Sequence, residues 1–120
     1  MRKLLIVVLV FLLAGSASLA YAQEPIKVGI VMGLTGPGAS IDTPALNGIK
    51  LATEEINQAG GVLGRPIELK TVDTKADEAE TVVAVIRLVE NEKVCALMGY
   101  CDAHWVNIAA PLAREYGVPF

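Results

Sequence analysis

The sequence is poor in histidine and cysteine, two residues on which many enzymes and metal sites depend. Its 120 residues include one histidine, His104, and two cysteines, Cys95 and Cys101. The signatures Gly-x-Ser-x-Gly, His-Glu-x-x-His and Cys-x-x-Cys, which mark hydrolases, zinc proteases and redox or metal sites, are all missing. The composition therefore predicts a protein that is not an enzyme and that uses no metal and no cofactor.

An excess of basic residues is also missing. The chain has 10 lysines and arginines against 13 acidic residues, which gives a formal net charge of −3 at pH 7. Binding to nucleic acid needs a positive patch, so no nucleic-acid partner is expected. No run of like charges indicates a disordered tail.

The first 22 residues have the three parts of a secretory signal peptide. Arg2 and Lys3 form a cationic start, residues 4–14 are apolar, and a small-residue segment ends at residues 20–22. The apolar run is short for a span of ~30 Å of hydrocarbon, so a membrane anchor is the weaker interpretation. We expect cleavage after residue 22 and export to the periplasm.

The spacing of the two cysteines matters because export leads to an oxidising compartment. Cys95 is predicted to lie inside a strand, and Cys101 just beyond its end. A strand advances ~3.3 Å per residue, and a disulfide needs Cα atoms within ~7 Å. We therefore predict no disulfide, and we expect Cys95 to be a small buried apolar residue.

Three apolar and β-branched stretches predict strands. They lie at residues 26–32, at residues 67–72 and from about residue 94 onward. Helical patterns separate them, and this alternation predicts an α/β fold with a parallel sheet and flanking helices.

The three helical patterns have recognisable ends. The first is expected to begin at about Asp42 or Thr43 and to end before Gly60, since glycine suits the positive φ that follows many helices. The second is expected to open near Asp77. The third covers residues 106–116 and contains a proline, which predicts a kink or a late start.

Residues 94–105 are the strongest candidate for function. They run from an apolar strand through Gly99 into a polar and aromatic loop that a helix follows. In open parallel sheets, ligands bind beyond the carboxyl ends of the strands, where helix N–H groups add partial positive charge. The candidate ligand-binding residues in this loop are Tyr100, Cys101, Asp102, Ala103 and His104.

Some of these residues have structural alternatives. Asp102 can cap the following helix by accepting backbone N–H bonds, and one carboxylate can both cap and face a ligand. Tyr100 and Trp105 can pack in the core instead of lining a cleft. Cys101, Asp102 and His104 are close in one tight loop and point in different directions, so they predict neither a nucleophile nor a metal site.

A glycine-rich loop at residues 33–40 follows the first strand. It lacks the lysine of a phosphate-binding loop, and Ile41 occupies the third glycine position of a dinucleotide fingerprint beginning at Gly36. A nucleotide site is therefore not predicted. We expect backbone N–H groups and Thr35 to form part of one cleft wall.

Several strings of residues match a known family in order. They include Ile-Lys-Val-Gly-Ile at 26–30, Leu-Thr-Gly-Pro-Gly-Ala at 34–39, Glu-Glu-Ile-Asn-Gln-Ala-Gly-Gly at 54–61 and Ala-Ala-Pro-Leu-Ala at 109–113. Together they resemble the Leu/Ile/Val-binding family, the periplasmic solute receptors of branched-chain amino acid ABC transporters. The likeness covers essentially all of residues 26–120.

The resemblance implies a type I periplasmic-binding fold, with two α/β lobes hinged around a cleft. Residues 23–120 would be the truncated first part of the N-terminal lobe, after a signal peptide at 1–22. The implied partners are a small-molecule solute and an inner-membrane ABC permease. The main alternative is an extracytoplasmic sensory domain of the same fold, and an exported hydrolase ranks third.

The residues that match the family's site depart from its pattern. Members commonly carry hydroxyl residues after the third strand to hold the ligand's α-carboxylate, and the matching positions here are Asp102 and Ala103. Ile41 stands where an aromatic residue often lines the pocket. The expected solutes are amino acids or related molecules such as amides and organic acids. Asp102 favours one that offers a hydrogen-bond donor, such as an amine or amide.

Overall fold

The computed structural model describes residues 24–120, so the predicted signal peptide lies outside the described residues. Strands and helices alternate along this part of the chain, and a 3-10 turn at Gly36–Gly38 precedes the first helix. The strands are β1 (Ile26–Met32), β2 (Ile67–Asp73) and β3 (Ala96–Gly99), and the helices are α1 (Ala39–Gln58), α2 (Glu78–Glu90) and α3 (Ala103–Glu115).

The strands form one parallel sheet in the order β2–β1–β3. Met32 pairs with Asp73, and Val31 pairs with Gly99, so the carboxyl ends of all three strands meet at one edge. A Cβ atom at Gly99 would lie 1.9 Å from the Val31 carbonyl oxygen, so this position requires glycine. The predicted parallel α/β sheet with flanking helices is confirmed.

One face of the sheet packs against α2 and α3. Val31, Leu88 and Leu97 are almost completely buried there. Alanines at 109 and 113 are fully buried, and their small side chains let α3 approach closely. The buried members of this core are Val31, Ala84, Val85, Leu88, Val94, Leu97, Tyr100, Ala109 and Ala113.

The other face packs against α1 and has a smaller core. Ile30, Met32 and Leu46 are buried there. Farther along α1, Ile56 is 40% exposed, and Met98 of β3 is 46% exposed. Between them lies an open apolar groove of about 420 Å³. None of the helices in residues 24–120 has the length and hydropathy needed to cross a bilayer.

The predicted start of the first helix is wrong. We expected a cap at Asp42 or Thr43, but α1 begins at Ala39 and has Gly38 as its N-cap without a side-chain hydrogen bond. The 3-10 turn winds directly into the helix. Asp42 consequently lies in the first turns of α1 and bonds elsewhere.

The expected burial of Cys95 is also wrong. Cys95 lies just before β3, which begins at Ala96, two residues after the predicted start. The Cys95 N–H donates to the Lys27 carbonyl at 2.9 Å, so the backbone is extended alongside β1. Successive side chains of an extended chain point to opposite faces. Val94 takes the buried side, so Cys95 is exposed. Cys95 and Cys101 are both free thiols.

The third helix begins earlier than the predicted residue 106. It starts at Ala103 because Asp102 supplies its N-cap, and Pro111 lies inside it. The expected late start is therefore wrong. By contrast, the predicted opening of α2 near Asp77 is confirmed, since the Asp77 side chain accepts the Glu80 N–H.

Candidate ligand-binding site

The loops that follow β1 and β2 are joined by Asp73, the last residue of β2. Its carboxylate accepts the Leu34 N–H at 2.9 Å and the Thr35 hydroxyl at 2.6 Å, and it also accepts the Lys75 N–H at 2.8 Å. Burial raises the pKa of Asp73, but these donated hydrogen bonds outweigh it and hold the pKa below its usual value. Asp73 therefore joins the first two loops as a carboxylate.

Tyr100 joins the third loop to the second. Its side chain is 7% exposed, and its hydroxyl lies 2.6 Å from the Thr74 hydroxyl and 2.8 Å from that of Thr81. Burial raises the pKa of Tyr100 above its usual value. Its φ of 49° is in the left-handed region, which turns the chain sharply from β3 toward α3.

A pocket of about 310 Å³ lies at this edge of the sheet, between the start of α1 and the start of α3. The second loop contributes Ala76, which has a positive φ of 54°. Parallel α/β sheets commonly bind ligands at this position. The residues that line the pocket are Pro37, Gly38, Ile41, Asp42, Ala76, Cys101, Asp102 and Trp105.

Asp42 is a pocket residue that was not predicted as part of the site. It is 6% exposed, and its Oδ2 accepts the Gly33 N–H at 2.8 Å, so it fixes the first loop against α1. A signal was present in the sequence. Asp42 precedes the buried Leu46 by four residues and thus lies on the same helix face, where a carboxylate is unusual.

Asp102 has the capping role that was one of its two predicted interpretations. Its Oδ1 accepts the His104 N–H at 2.7 Å at the start of α3. The same side chain lines the pocket. A carboxylate has two oxygens, so this capping bond leaves the second one without a partner among the hydrogen bonds of the described residues.

The other predicted site residues divide into two groups. Ile41 and Cys101 line the pocket, and Ile41 is 61% exposed. The remaining four do not line the pocket, because other contacts or their positions in α3 hold their side chains away from it. They are Thr35 on Asp73, Tyr100 in the core, Ala103 in the first turn of α3, and His104 on the outer surface.

The surroundings of Trp105 show how the third loop is supported. Its ring stacks on Tyr100 with centroids 5.8 Å apart, and the His104 ring meets it edge-on at 4.8 Å. His104 Nε2 lies 3.1 Å from Glu78 Oε1 in an exposed pair. Tyr100 and His104 thus position an aromatic wall of the pocket.

Within residues 24–120, no three histidine, cysteine or acidic side chains are grouped closely enough to hold a metal ion. The residues that line the pocket also include no lysine or arginine, so its charged side chains are Asp42 and Asp102. The site is therefore an acidic, partly apolar wall.

A parallel α/β sheet with a pocket at its carboxyl edge is an arrangement that periplasmic-type binding proteins share with other open α/β folds. Residues 25–120 match the family described as periplasmic binding protein, and the chain belongs to that family. The resemblance to the Leu/Ile/Val-binding proteins expected from the sequence is confirmed by its relatives.

Two solved structures show the fold. The branched-chain amino acid transporter substrate binding protein LivJ of Streptococcus pneumoniae, solved with isoleucine, is 35% identical with a TM-score of 0.76, and covers 79% of this chain and 27% of its own. The leucine binding protein LivK of Thermotoga maritima is 29% identical with a TM-score of 0.71, and the match covers 78% of this chain and 26% of LivK.

Two relatives identified by sequence lead to the same family. Leu/Ile/Val-binding protein homolog 7 of Brucella suis is 33% identical over 91% of this chain and 26% of its own length. The leucine-, isoleucine-, valine-, threonine- and alanine-binding protein of Pseudomonas aeruginosa is 32% identical over 88% of this chain and 28% of its own length. The chain thus spans about a quarter of the length of these relatives.

Proposed function

We propose that the protein is a periplasmic solute receptor of an ABC importer, and that its pocket binds an amino acid or a related amide or organic acid. The observation that carries this proposal is the position of the pocket. It lies at the carboxyl edge of a parallel sheet, in a chain whose relatives are amino acid-binding proteins.

The pocket in residues 24–120 forms one open wall of the proposed binding cleft. The relatives are about four times longer than the matched region. We propose that residues 23–120 are the first part of an N-terminal lobe and that a second lobe supplies the facing wall. The two lobes would close on the solute, and an inner-membrane permease would recognise the closed state. Residues 1–22 would direct export.

Within this wall, we propose two kinds of role for the residues singled out from the sequence. Ile41, Cys101 and Asp102 contact the solute directly, because they line the pocket. Tyr100 positions the third loop from the core. Thr35 acts in the same way on the first loop through Asp73. The remaining two, Ala103 and His104, form the first turn of α3 beside the pocket.

The test is calorimetry and thermal unfolding of the whole protein with a panel of amino acids, amides and organic acids. A solute that binds the folded state raises stability by about 2.7 kcal/mol at a concentration 100 times its Kd. Absence of binding across the panel would contradict the proposed function. Binding without solute uptake through any permease would favour the sensory alternative.

A matched pair of variants on α1 locates the site. Ile41 and Leu51 are both exposed apolar residues, at 61% and 58%, but of the two only Ile41 lines the pocket. Ile41→Trp fills the pocket with a larger side chain, and we expect it to weaken solute binding about tenfold or more. Leu51→Trp should leave the Kd unchanged. Equal effects from both variants would place the solute elsewhere.

A further inference from the structure

The pocket brings together two carboxylates that are far apart in the sequence. Asp42 comes from the first turns of α1, and Asp102 is the N-cap of α3. Among residues 24–120, none of those that line the pocket is basic. This wall therefore presents negative charge to whatever occupies the pocket.

Each carboxylate uses one oxygen to hold its own loop. Asp42 Oδ2 accepts the Gly33 N–H at 2.8 Å, and Asp102 Oδ1 accepts the His104 N–H at 2.7 Å. Residues 24–120 contain no fully buried side-chain oxygen that lacks a hydrogen-bond partner. The second oxygens are therefore not sealed in the core and can accept a bond from a solute.

An indole ring completes the same wall. Trp105 lines the pocket beside Asp102, and its orientation is fixed by the stacked ring of Tyr100 at 5.8 Å. An aromatic face attracts an ammonium group, and tryptophan does so most strongly. Carboxylates and an indole together form a surface suited to an organic cation.

A solute carboxylate fits this wall poorly. A helix N-terminus normally attracts anions through its free N–H groups. At α3, however, the His104 N–H is already bonded to Asp102. An anion that approaches the other N–H groups of the first turn therefore meets the Asp102 carboxylate. It would also approach Asp42 in the same pocket.

We propose that this wall receives the protonated amine of the solute and that Asp42 and Asp102 determine this specificity, a preference that rests on the proposed function of the same pocket. The solute's ammonium group donates to the free oxygens of the two carboxylates and lies against Trp105. A carboxylate on the same solute points away from this wall.

Three probes with one branched side chain test the preference in the whole protein. Leucine carries both charged groups, 3-methylbutylamine carries the ammonium alone, and 4-methylpentanoate carries the carboxylate alone. By calorimetry at pH 7, we expect the amine to bind within about tenfold of leucine and the acid to bind about 100-fold more weakly than the amine. If another amino acid binds best, its own amine and acid replace the leucine pair.

Asp42→Asn and Asp102→Asn should each weaken binding of the amine about tenfold or more, while binding of the acid stays the same or tightens. Asparagine keeps the backbone bonds, because its carbonyl accepts them and it is a good N-cap. The matched control is Asp77→Asn at the N-cap of α2, which accepts the Glu80 N–H at 2.9 Å and does not line the pocket. It should leave the Kd unchanged.

Three results would overturn this preference while leaving the proposed function in place. The first is an acid that binds as tightly as its amine. The second is an affinity for the amine that is unchanged in both Asp42→Asn and Asp102→Asn, and the third is an equal loss of affinity in Asp77→Asn. A protein that binds no solute of the panel contradicts the proposed function itself, and the preference fails with it. Circular dichroism of each variant shows that it has folded.

Discussion

The two faces of the sheet are packed to different degrees. Toward α2 and α3, the side chains of Val31 and Leu88 are completely buried and Leu97 is 2% exposed. Toward α1, the buried core is smaller, and an apolar groove of about 420 Å³ remains open beside β3. Two helices cover the first face, whereas α1 covers part of the second.

This difference explains how the site is supported. Tyr100 belongs to the closely packed core, and Asp102 and Trp105 follow it directly into α3. The third loop is therefore held by the rigid face. Ile41 and Asp42 reach the pocket from α1, on the open face. The pocket thus joins a firmly held wall to one supported by fewer contacts.

The largest effect is expected at the close contact between β1 and β3. Gly99→Ala would place a Cβ atom 1.9 Å from the Val31 carbonyl oxygen, and backbone has little room to move. We expect more than about 4 kcal/mol of destabilisation, or a failure to fold. The measurement is soluble yield and urea unfolding of the whole protein.

Gly48→Ala is the matched control on the open face. A Cβ atom at Gly48 would meet nothing within 4 Å, and the residue lies inside α1. Alanine should therefore stabilise the protein by about 0.5–1 kcal/mol, since glycine is unfavourable within a helix. Similar results for the two glycines would remove the distinction between the faces.

An intermediate effect is expected from matched truncations of the two cores. Leu88→Ala removes a fully buried side chain from the packed face and should lower the free energy of unfolding by about 2–5 kcal/mol. Ile49→Ala, from the partly buried set beside the α1 core, should cost about 1 kcal/mol. Denaturant unfolding of both variants gives the comparison, and equal losses would show that the α1 face is packed as firmly.

A smaller effect is expected where the packed core meets the site. Tyr100→Phe keeps the ring but leaves the Thr74 and Thr81 hydroxyls without their shared partner, which should cost about 1–3 kcal/mol. Tyr116→Phe removes a hydroxyl that bonds Glu90 on the surface, and its effect should be smaller. Denaturant unfolding of both variants measures the difference, and losses of equal size would contradict a special role for the buried hydroxyl.

The same tyrosine predicts a pH dependence. Burial raises the pKa of Tyr100 above its usual value, so the folded state holds this proton more tightly than the unfolded state. The stability that the protonated Tyr100 hydroxyl contributes is complete below about pH 10. It is lost as pH rises through the pKa of Tyr100 in the folded state. Stability should thus fall more steeply in alkali for the parent than for Tyr100→Phe. A hydrogen bond to Glu90 also raises the pKa of Tyr116, so part of the slope should remain.

Much of the fold was predictable because its signals are local. β-branched runs predicted the strands, and alternation with helical patterns predicted a parallel sheet. The caps at Asp77 and Asp102 depend on bonds to backbone groups three and two residues away, at Glu80 and His104. Such bonds can be inferred from neighbouring residues alone.

The same sequence did not predict which apolar residues are buried. Leu97 and Met98 are neighbouring apolar residues, yet Leu97 is 2% exposed and Met98 is 46% exposed. Strand periodicity states that they face opposite sides, but which side is covered depends on helices elsewhere in the chain. The burial of Cys95 was predicted wrongly for the same reason.

The order of strand, loop and helix in residues 94–105 was predicted correctly, because strand pattern and capping chemistry are properties of adjacent residues. The bounds were not, since β3 begins at Ala96 and α3 at Ala103. The tertiary structure decided which side chains meet there. It buried Tyr100 against Thr74, 26 residues away, tied Thr35 to Asp73, 38 residues away, and brought Asp42 into the pocket. Contacts over such separations depend on how the sheet orders its strands, and local patterns do not encode that order.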